Sequence, residues 1–304
     1  MLPVLITFFN RPATLDKVLA AVSKTEKLEI YFAADGPRNM KDQVNVEICW
    51  GLVEKYFPNL PSSRKLVRKE NKGCRMAMIE NITWFFDLVP HGVILEDDCL
   101  PNEYFFEMQS KLLSDYSYSK EFISVSGTSV NLAFKSPPGC VAIPSVFPMV
   151  WGWGTWKKSW DKYEPDITDS IEIVDSISQK IFPSREEWLK RKLFQDTFKS
   201  RFREVNIGYI DTWDYALTAT AWRENLQSLH LAANSIINIG FEANGTHTVL
   251  EAPNWVPTEF GITNLNSNII GEWNRNLDIQ IATKVFNCNV IDYSKNQVKR
   301  VLIH

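Results

Sequence analysis

Four short runs of aliphatic, β-branched and aromatic residues in the first hundred positions each break off at polar or turn-forming residues, and helical spacing fills the gaps between them. Pro3 to Phe9 ends at Asn10-Arg11-Pro12, and Leu28 to Ala34 stops at Asp35-Gly36-Pro37. Lys65 to Arg68 is a weaker run ahead of Asn71-Lys72-Gly73, and Gly92 to Leu95 passes directly into Glu96-Asp97-Asp98. Between them, Leu15, Val18, Leu19 and Val22 recur at helical spacing, with Pro12 placed to open the first turn. Ile48, Leu52, Val53 and Tyr56 mark a second helix, and Ile79, Ile82, Phe85 and Phe86 a third. Strands separated by helices of ten or more residues are joined by crossovers, which predicts an α/β fold with a mainly parallel central sheet flanked by helices. In such sheets a ligand sits beyond the carboxyl ends of the strands. Here those ends carry Asn10-Arg11, Asp35-Gly36 and Glu96-Asp97-Asp98.

From about Phe122 the pattern becomes less regular. Strand-like runs at Phe122 to Ser126 and Cys140 to Ile143 are separated by Pro-rich segments, followed by Trp151-Gly152-Trp153-Gly154-Thr155-Trp156. A polar helix is predicted over Arg185 to Glu204 and another from Trp213-Asp214, with a loop-rich tail from Thr246. Neither an internal repeat nor a low-complexity linker divides the chain, so the expectation is one domain over 1–250 and an extension over 251–304.

Composition narrows the function. With 33 basic and 36 acidic residues among 304, the chain has no cationic field for gripping a nucleic-acid backbone. Five cysteines without a CxxC pair indicate reduced thiols rather than a disulfide framework or zinc cluster, and none has a base partner in view. The N-terminus lacks the basic start and small-residue cleavage site of a secretion signal, and no apolar stretch approaches the ~20 residues that span a bilayer. A cytoplasmic protein is expected, with room for peripheral attachment at the inner face of a membrane.

Three adjacent carboxylates after a buried strand repel one another and raise one another's pKa. A divalent cation, Mn²⁺ or Mg²⁺, held by one or two carboxylates and substrate phosphates relieves that repulsion. The alternative is that Glu96 and Asp98 cap a helix starting near Asn102 while Asp97 is solvated.

The run Ile94 to Phe106 (ILEDDCLPNEYFF) resembles the DxD-type region of GT-A glycosyltransferases, in the EDD form of N-acetylglucosaminyltransferase I and of bacterial hemolysin-like sugar transferases. Similar to the same group are Val4 to Leu15 (VLITFFNRPATL), Ala34-Asp35-Gly36, Asn71 to Phe86 (NKGCRMAMIENITWFF) and Trp151 to Glu164 (WGWGTWKKSWDKYE). The resemblance spans most of Pro3 to Thr248. It implies a GT-A fold with a nucleotide-binding half over about 1–120 and an acceptor-side half over about 121–250. It implies a metal-dependent, inverting transferase that moves a sugar from a nucleotide diphosphate donor, a UDP-sugar, to a glycan or lipid-linked glycan in surface polysaccharide synthesis.

By residue, the resemblance implies that Asn10, Arg11, Asp35 and Gly36 hold the nucleotide, with Asp35 accepting a hydrogen bond from the base. Asp98 would bind the metal, while Glu96 and Asp97 orient ribose, sugar or metal-bound water. A glycine-containing loop facing donor and acceptor would fall on Trp151-Gly152-Trp153-Gly154. The general base would fall on Asp214, which as a plain residue reads equally as a helix N-cap, with Asp211 the alternative base. His247 stands where many GT-A enzymes carry a histidine touching metal or diphosphate. Lys72 and Arg75 either reach a diphosphate or form a solvated helix start. Of the 11 tryptophans, Trp151 and Trp213 are the candidates for stacking on a sugar face. Trp153, Trp156 and Trp160 have a spacing that also fits a core.

Two other classes compete. A sugar nucleotidyltransferase would carry a Gly-rich loop after the first strand, where this chain has Phe9-Asn10-Arg11-Pro12. A non-catalytic carbohydrate-binding protein of the same fold would not need Glu96-Asp97-Asp98 together with Asp214.

Overall fold

A computed structural model describes residues 1–130, 136–241, 252–261 and 267–289. Strand β1 (Leu2–Phe8) is buried along its whole length and pairs in parallel with β2 (Leu28–Ala34) on one side. On its other side lies β4 (His91–Glu96), also parallel, and β3 (Lys65–Val67) continues the sheet beyond β2. Helices α1 (Pro12–Val22), α2 (Met40–Tyr56) and α3 (Gly73–Leu88) make the crossovers between them. Pro12 opens α1 as the sequence predicts, where its missing N–H leaves no donor unsatisfied.

Alternate residues of β1 enter different cores. Leu5 packs with Phe85, Phe86 and Ile94 on one face of the sheet, while Val4 and Ile6 pack with Leu15, Val18 and Leu19 on the other. This is why these strands read as unbroken apolar runs: helices cover both faces.

A short strand β5 (Cys99–Pro101) follows the acidic triplet, and α4 (Phe105–Asp115) starts three residues later than the sequence predicts. Asn102 Oδ1 accepts the N–H groups of Phe105 at 3.0 Å and Tyr104 at 3.2 Å, so Asn102, not Glu96 or Asp98, serves that helix start. The sheet then continues through β6 (Phe122–Ser126), β7 (Cys140–Ser145) and β8 (Trp153–Trp156), joined by β9 (Gln227–Leu231) and β11 (Ile269–Ile270). A separate ribbon pairs β5 with β10 (Ile236–Asn238). The nine-stranded order is β11-β7-β9-β6-β8-β4-β1-β2-β3. Strand β8 runs antiparallel to both neighbours, β4 and β6, whereas β6 and β9 are parallel.

The strand β8 corrects the expected Trp151–Gly154 loop. Trp153 and Trp156 are buried in opposite cores, and Gly154 sits against the side chain of Gln109, where any larger residue would collide. Helices α5 (Lys157–Trp160), α6 (Ile173–Ile181), α7 (Trp188–Asn206) and α8 (Asp214–Arg223) cover this half. The tail is tied to the same sheet: β11 extends β7, and α9 (Arg275–Gln280) delivers Asp278 to the Ser145 hydroxyl at 2.6 Å. No helix among the described residues is long and apolar enough to cross a membrane.

Candidate functional site

The register of β1 sets the site. Thr7 lies opposite Ala33 on one side and Glu96 on the other, so the chains leaving β1, β2 and β4 emerge level at one sheet edge. A cleft of about 560 Å³ opens there. Asn10, Arg11, Asp35, Glu96, Asp97 and Asp98 line it, together with Asp211 from the segment before α8.

Arg11 stands just before α1 and forks onto the acidic triplet. One guanidinium nitrogen bonds Asp97 and the other bonds Asp98 Oδ2 at 2.8 Å, while Asp97 also accepts the Phe9 N–H at 3.3 Å. Burial works against the Arg11 charge, but Asp97 and Asp98 outweigh it and hold the guanidinium above its already high value. One cation does not balance three acids. Burial, reinforced by Asp98 and Asp97, pushes Glu96 up to about 8. Burial also lifts Asp97 to about 6 despite the Arg11 contact. Gly240 lies against Asp98, and a side chain there would collide with the carboxylate.

Asp35 occupies the opposite corner. Its Oδ1 accepts the N–H of Gly36 at 2.8 Å and of Lys72 at 2.9 Å, and its Oδ2 accepts from Asn71 Nδ2 at 2.8 Å. Burial raises its pKa despite these bonds. A side chain at Gly36 would run into the backbone of Glu70, so glycine permits the two segments to meet. Asn10 donates its amide to Asp42 rather than into the cleft. The Arg38 hydrogen bond, at 2.7 Å, leads in holding Asp42 down to about 2, and Arg38 lies 5.0 Å from the centre of the Phe9 ring.

The remaining predicted residues divide. Asp211 accepts the N–H groups of Cys74 at 2.9 Å and Arg75 at 3.1 Å, one on each carboxylate oxygen, and so caps α3 from a distant segment. Asp214, in the first turn of α8, does not line the cleft but lies close enough to Glu96 and Cys74 to raise the pKa of both. Its Oδ1 accepts from the Thr212 hydroxyl and the Tyr215 N–H, and burial raises its own pKa. The Arg75 guanidinium turns away to the carbonyls of Val205, at 2.8 Å, and Pro165, so it is not brought to the cleft. Lys72 contributes its backbone to Asp35, and its side chain is solvated.

The tryptophans need correction too. Trp153 and Trp213 stack on each other with ring centres 5.5 Å apart and are buried, at 1% and 3% exposure, so neither presents a face to a ligand. Trp151 is half-buried and stacks on Trp255 at 5.3 Å, with Phe241, a cleft residue, edge-on at 5.9 Å. Gly152 adopts φ +58°, a left-handed conformation that suits glycine, and is packed against Ile236. His247 lies outside the described residues.

Sequence reasoning missed Arg38, Asn71, Asn81 and Asn238 as cleft residues. Asn81 left a trace: with Cys74, Ala77 and Met78 it forms an i, i+3, i+4, i+7 face of α3, on which a polar residue is out of place. Asn238 left none, because β10 reaches the cleft only by pairing with β5, more than a hundred residues earlier.

No protein-family model matches the chain, and no curated protein matches it. Among the described residues, no three His, Cys, Asp or Glu side chains converge as a ready-made metal cage.

Proposed function

We propose that the protein is a metal-dependent, inverting glycosyltransferase of the GT-A class, moving a sugar from a nucleotide diphosphate donor to a glycan hydroxyl. The observation that carries this reading is the excess of buried negative charge at the strand ends, where Glu96, Asp97 and Asp98 face a single Arg11 in a cleft sized for a nucleotide sugar. The order β3-β2-β1-β4 followed by one antiparallel strand supports it, as a nucleotide site at the carboxyl ends of a parallel sheet requires.

The donor set suits a hard cation held by one or two carboxylates and completed by substrate phosphate oxygens, the usual way Mg²⁺ is bound. Asp98 and, when ionised, Glu96 would hold it; bound there, it supplies Lewis-acid neutralisation of the diphosphate leaving group. Arg11 positions the triplet and offers a second cation toward the phosphates.

Asp214 is the general base in this reading. The hydrogen bonds from the Thr212 hydroxyl and the Tyr215 N–H both fall on Oδ1, and burial raises its proton affinity above that of an exposed aspartate. Asp211 commits both oxygens to the amides of α3 and serves as a positioning residue instead.

Incubation with a panel of nucleotide sugars, with and without Mn²⁺, tests the reading. A transferase releases the nucleoside diphosphate slowly to water in a Mn²⁺-dependent manner, and Asp214→Asn retains donor binding while transfer collapses. Consumption of nucleoside triphosphate would point to a nucleotidyltransferase, and neither activity to a binding protein.

A further inference from the structure

Helix α7 carries an apolar knuckle outside the core. Its buried stripe runs through Leu193, Phe194, Phe198 and Phe202. One turn earlier, Leu189 continues that stripe past the edge of the core and is 44% exposed. Trp188 beside it is 61% exposed, the one exposed tryptophan of the 11, all of which fall among the described residues. A single exposed leucine is ordinary, but an adjacent exposed Trp-Leu pair is a feature of surfaces that meet something apolar.

The knuckle stands on an ordered base. A capping box between Ser184 and Glu187 sets the entry to the helix. Arg191 donates to the carbonyls of Phe182 at 2.9 Å and Ser184 at 2.7 Å, and Arg275 donates to the Ile181 carbonyl at 2.6 Å and to Glu187. These bonds join the end of α6, the turn and the start of α9 into one face, on which Lys180 lies 5.1 Å from the centre of the Trp273 ring.

The charge of this face opposes that of the chain, which is net −3. Lys180, Arg185, Lys190, Arg191, Lys192 and Arg275 meet Glu186, Glu187, Asp196 and Glu272. Glu187 is matched by Arg275 and Asp196 by Lys192, so the other four cations stand against two acids. Apolar side chains ringed by cations fit a partner that is anionic at its surface and apolar just beneath. A lipid bilayer has that profile, with the indole at the boundary and the long cationic side chains reaching the phosphates.

We infer that this face, centred on Trp188 and Leu189, docks the protein on an anionic phospholipid bilayer. The inference is independent of the transferase reading. Two inserted side chains and a small excess of cations give reversible attachment. The far end of α7, about 25 Å from Trp188 along the helix axis, meets Arg75 through the Val205 carbonyl, so docking here leaves the cleft uncovered.

Co-sedimentation of the full chain with vesicles of phosphatidylcholine and phosphatidylglycerol, and of phosphatidylcholine alone, tests the inference. The natural chain should partition onto the anionic vesicles about tenfold or more strongly than onto the neutral ones, and less as salt rises. Trp188→Ala combined with Leu189→Ala should lower that partitioning about tenfold while the thermal midpoint barely moves. Arg185→Glu combined with Lys190→Glu leaves the apolar pair in place and should lower it by a similar factor, which keeps the test usable if the alanine variant fails to fold. Failure of the natural chain to bind anionic vesicles, or undiminished binding by either folded variant, overturns the inference. Capture by polyglutamate but not by vesicles also overturns it and assigns the face to an acidic protein.

Discussion

Asp211 caps a helix that begins 138 residues before it: its Oδ2 accepts the N–H of Cys74 at 2.9 Å, and Gly73, at φ +78°, lets the carboxylate approach. The contact ties the segment before α8 to the first turn of α3, so the cleft wall formed by Cys74, Ala77 and Met78 is held by a residue from the second half of the chain. An anion at a helix N-terminus also complements the helix dipole.

Asp211→Ala therefore should destabilise the protein by about 1–2 kcal/mol, the usual cost of losing a helix cap. Asp211→Asn, which keeps one acceptor, should recover part of that. Denaturant midpoints of the three proteins check this. A stability unchanged by the alanine substitution would mean that the cap contributes nothing.

Trp213 is core, stacked on Trp153, with Tyr163 donating to its carbonyl at 3.0 Å. Trp213→Ala should cost roughly 3–5 kcal/mol. Trp151→Ala, at a half-buried position, should cost clearly less. Thermal unfolding of both variants measures the difference, and the reverse order would restore Trp213 to the ligand-facing surface.

His230 lies buried in β9 with Nε2 donating to the Phe147 carbonyl at 2.6 Å, and burial pushes its pKa down to about 4. The unfolded chain takes up this proton near pH 6.5 while the folded chain resists until about pH 4. The stability is thus fully present above pH 6.5 and is lost as pH falls from 6.5 to 4, on the order of 3 kcal/mol. His230→Gln should lose much less over the same interval. Unfolding free energies at pH 7 and pH 4.5 decide it, with parallel losses in both proteins as the contrary result.

Much of the first hundred residues was legible because β1, β2 and β4 are covered on both faces, and their continuous apolar runs stop abruptly at the sheet edge. Leu28–Ala34 ends where its composition changes, and Asn10-Arg11, Asp35 and Glu96-Asp97-Asp98 meet in the cleft for the same reason. The second half was less readable because its elements are defined by distant partners. Trp153–Trp156 is a strand only because β4 and β6 lie on either side, and two glycines within Trp151–Thr155 read locally as a loop. Side-chain direction was also hidden: Arg75 sits in the right turn of the right helix, yet the carbonyls of Pro165 and Val205 draw it away. Trp213 likewise adjoins Asp214 in sequence but points into the core.

The account rests on Asp98 as the residue through which a divalent cation joins the nucleotide to the protein. Calorimetric titration of UDP into the natural chain and into Asp98→Ala, each with and without Mn²⁺, measures this most directly. The natural chain should bind UDP far more tightly with Mn²⁺, and the variant should lose that dependence, with affinity in Mn²⁺ falling about 100-fold or more. Undiminished Mn²⁺-dependent affinity in Asp98→Ala would contradict the account.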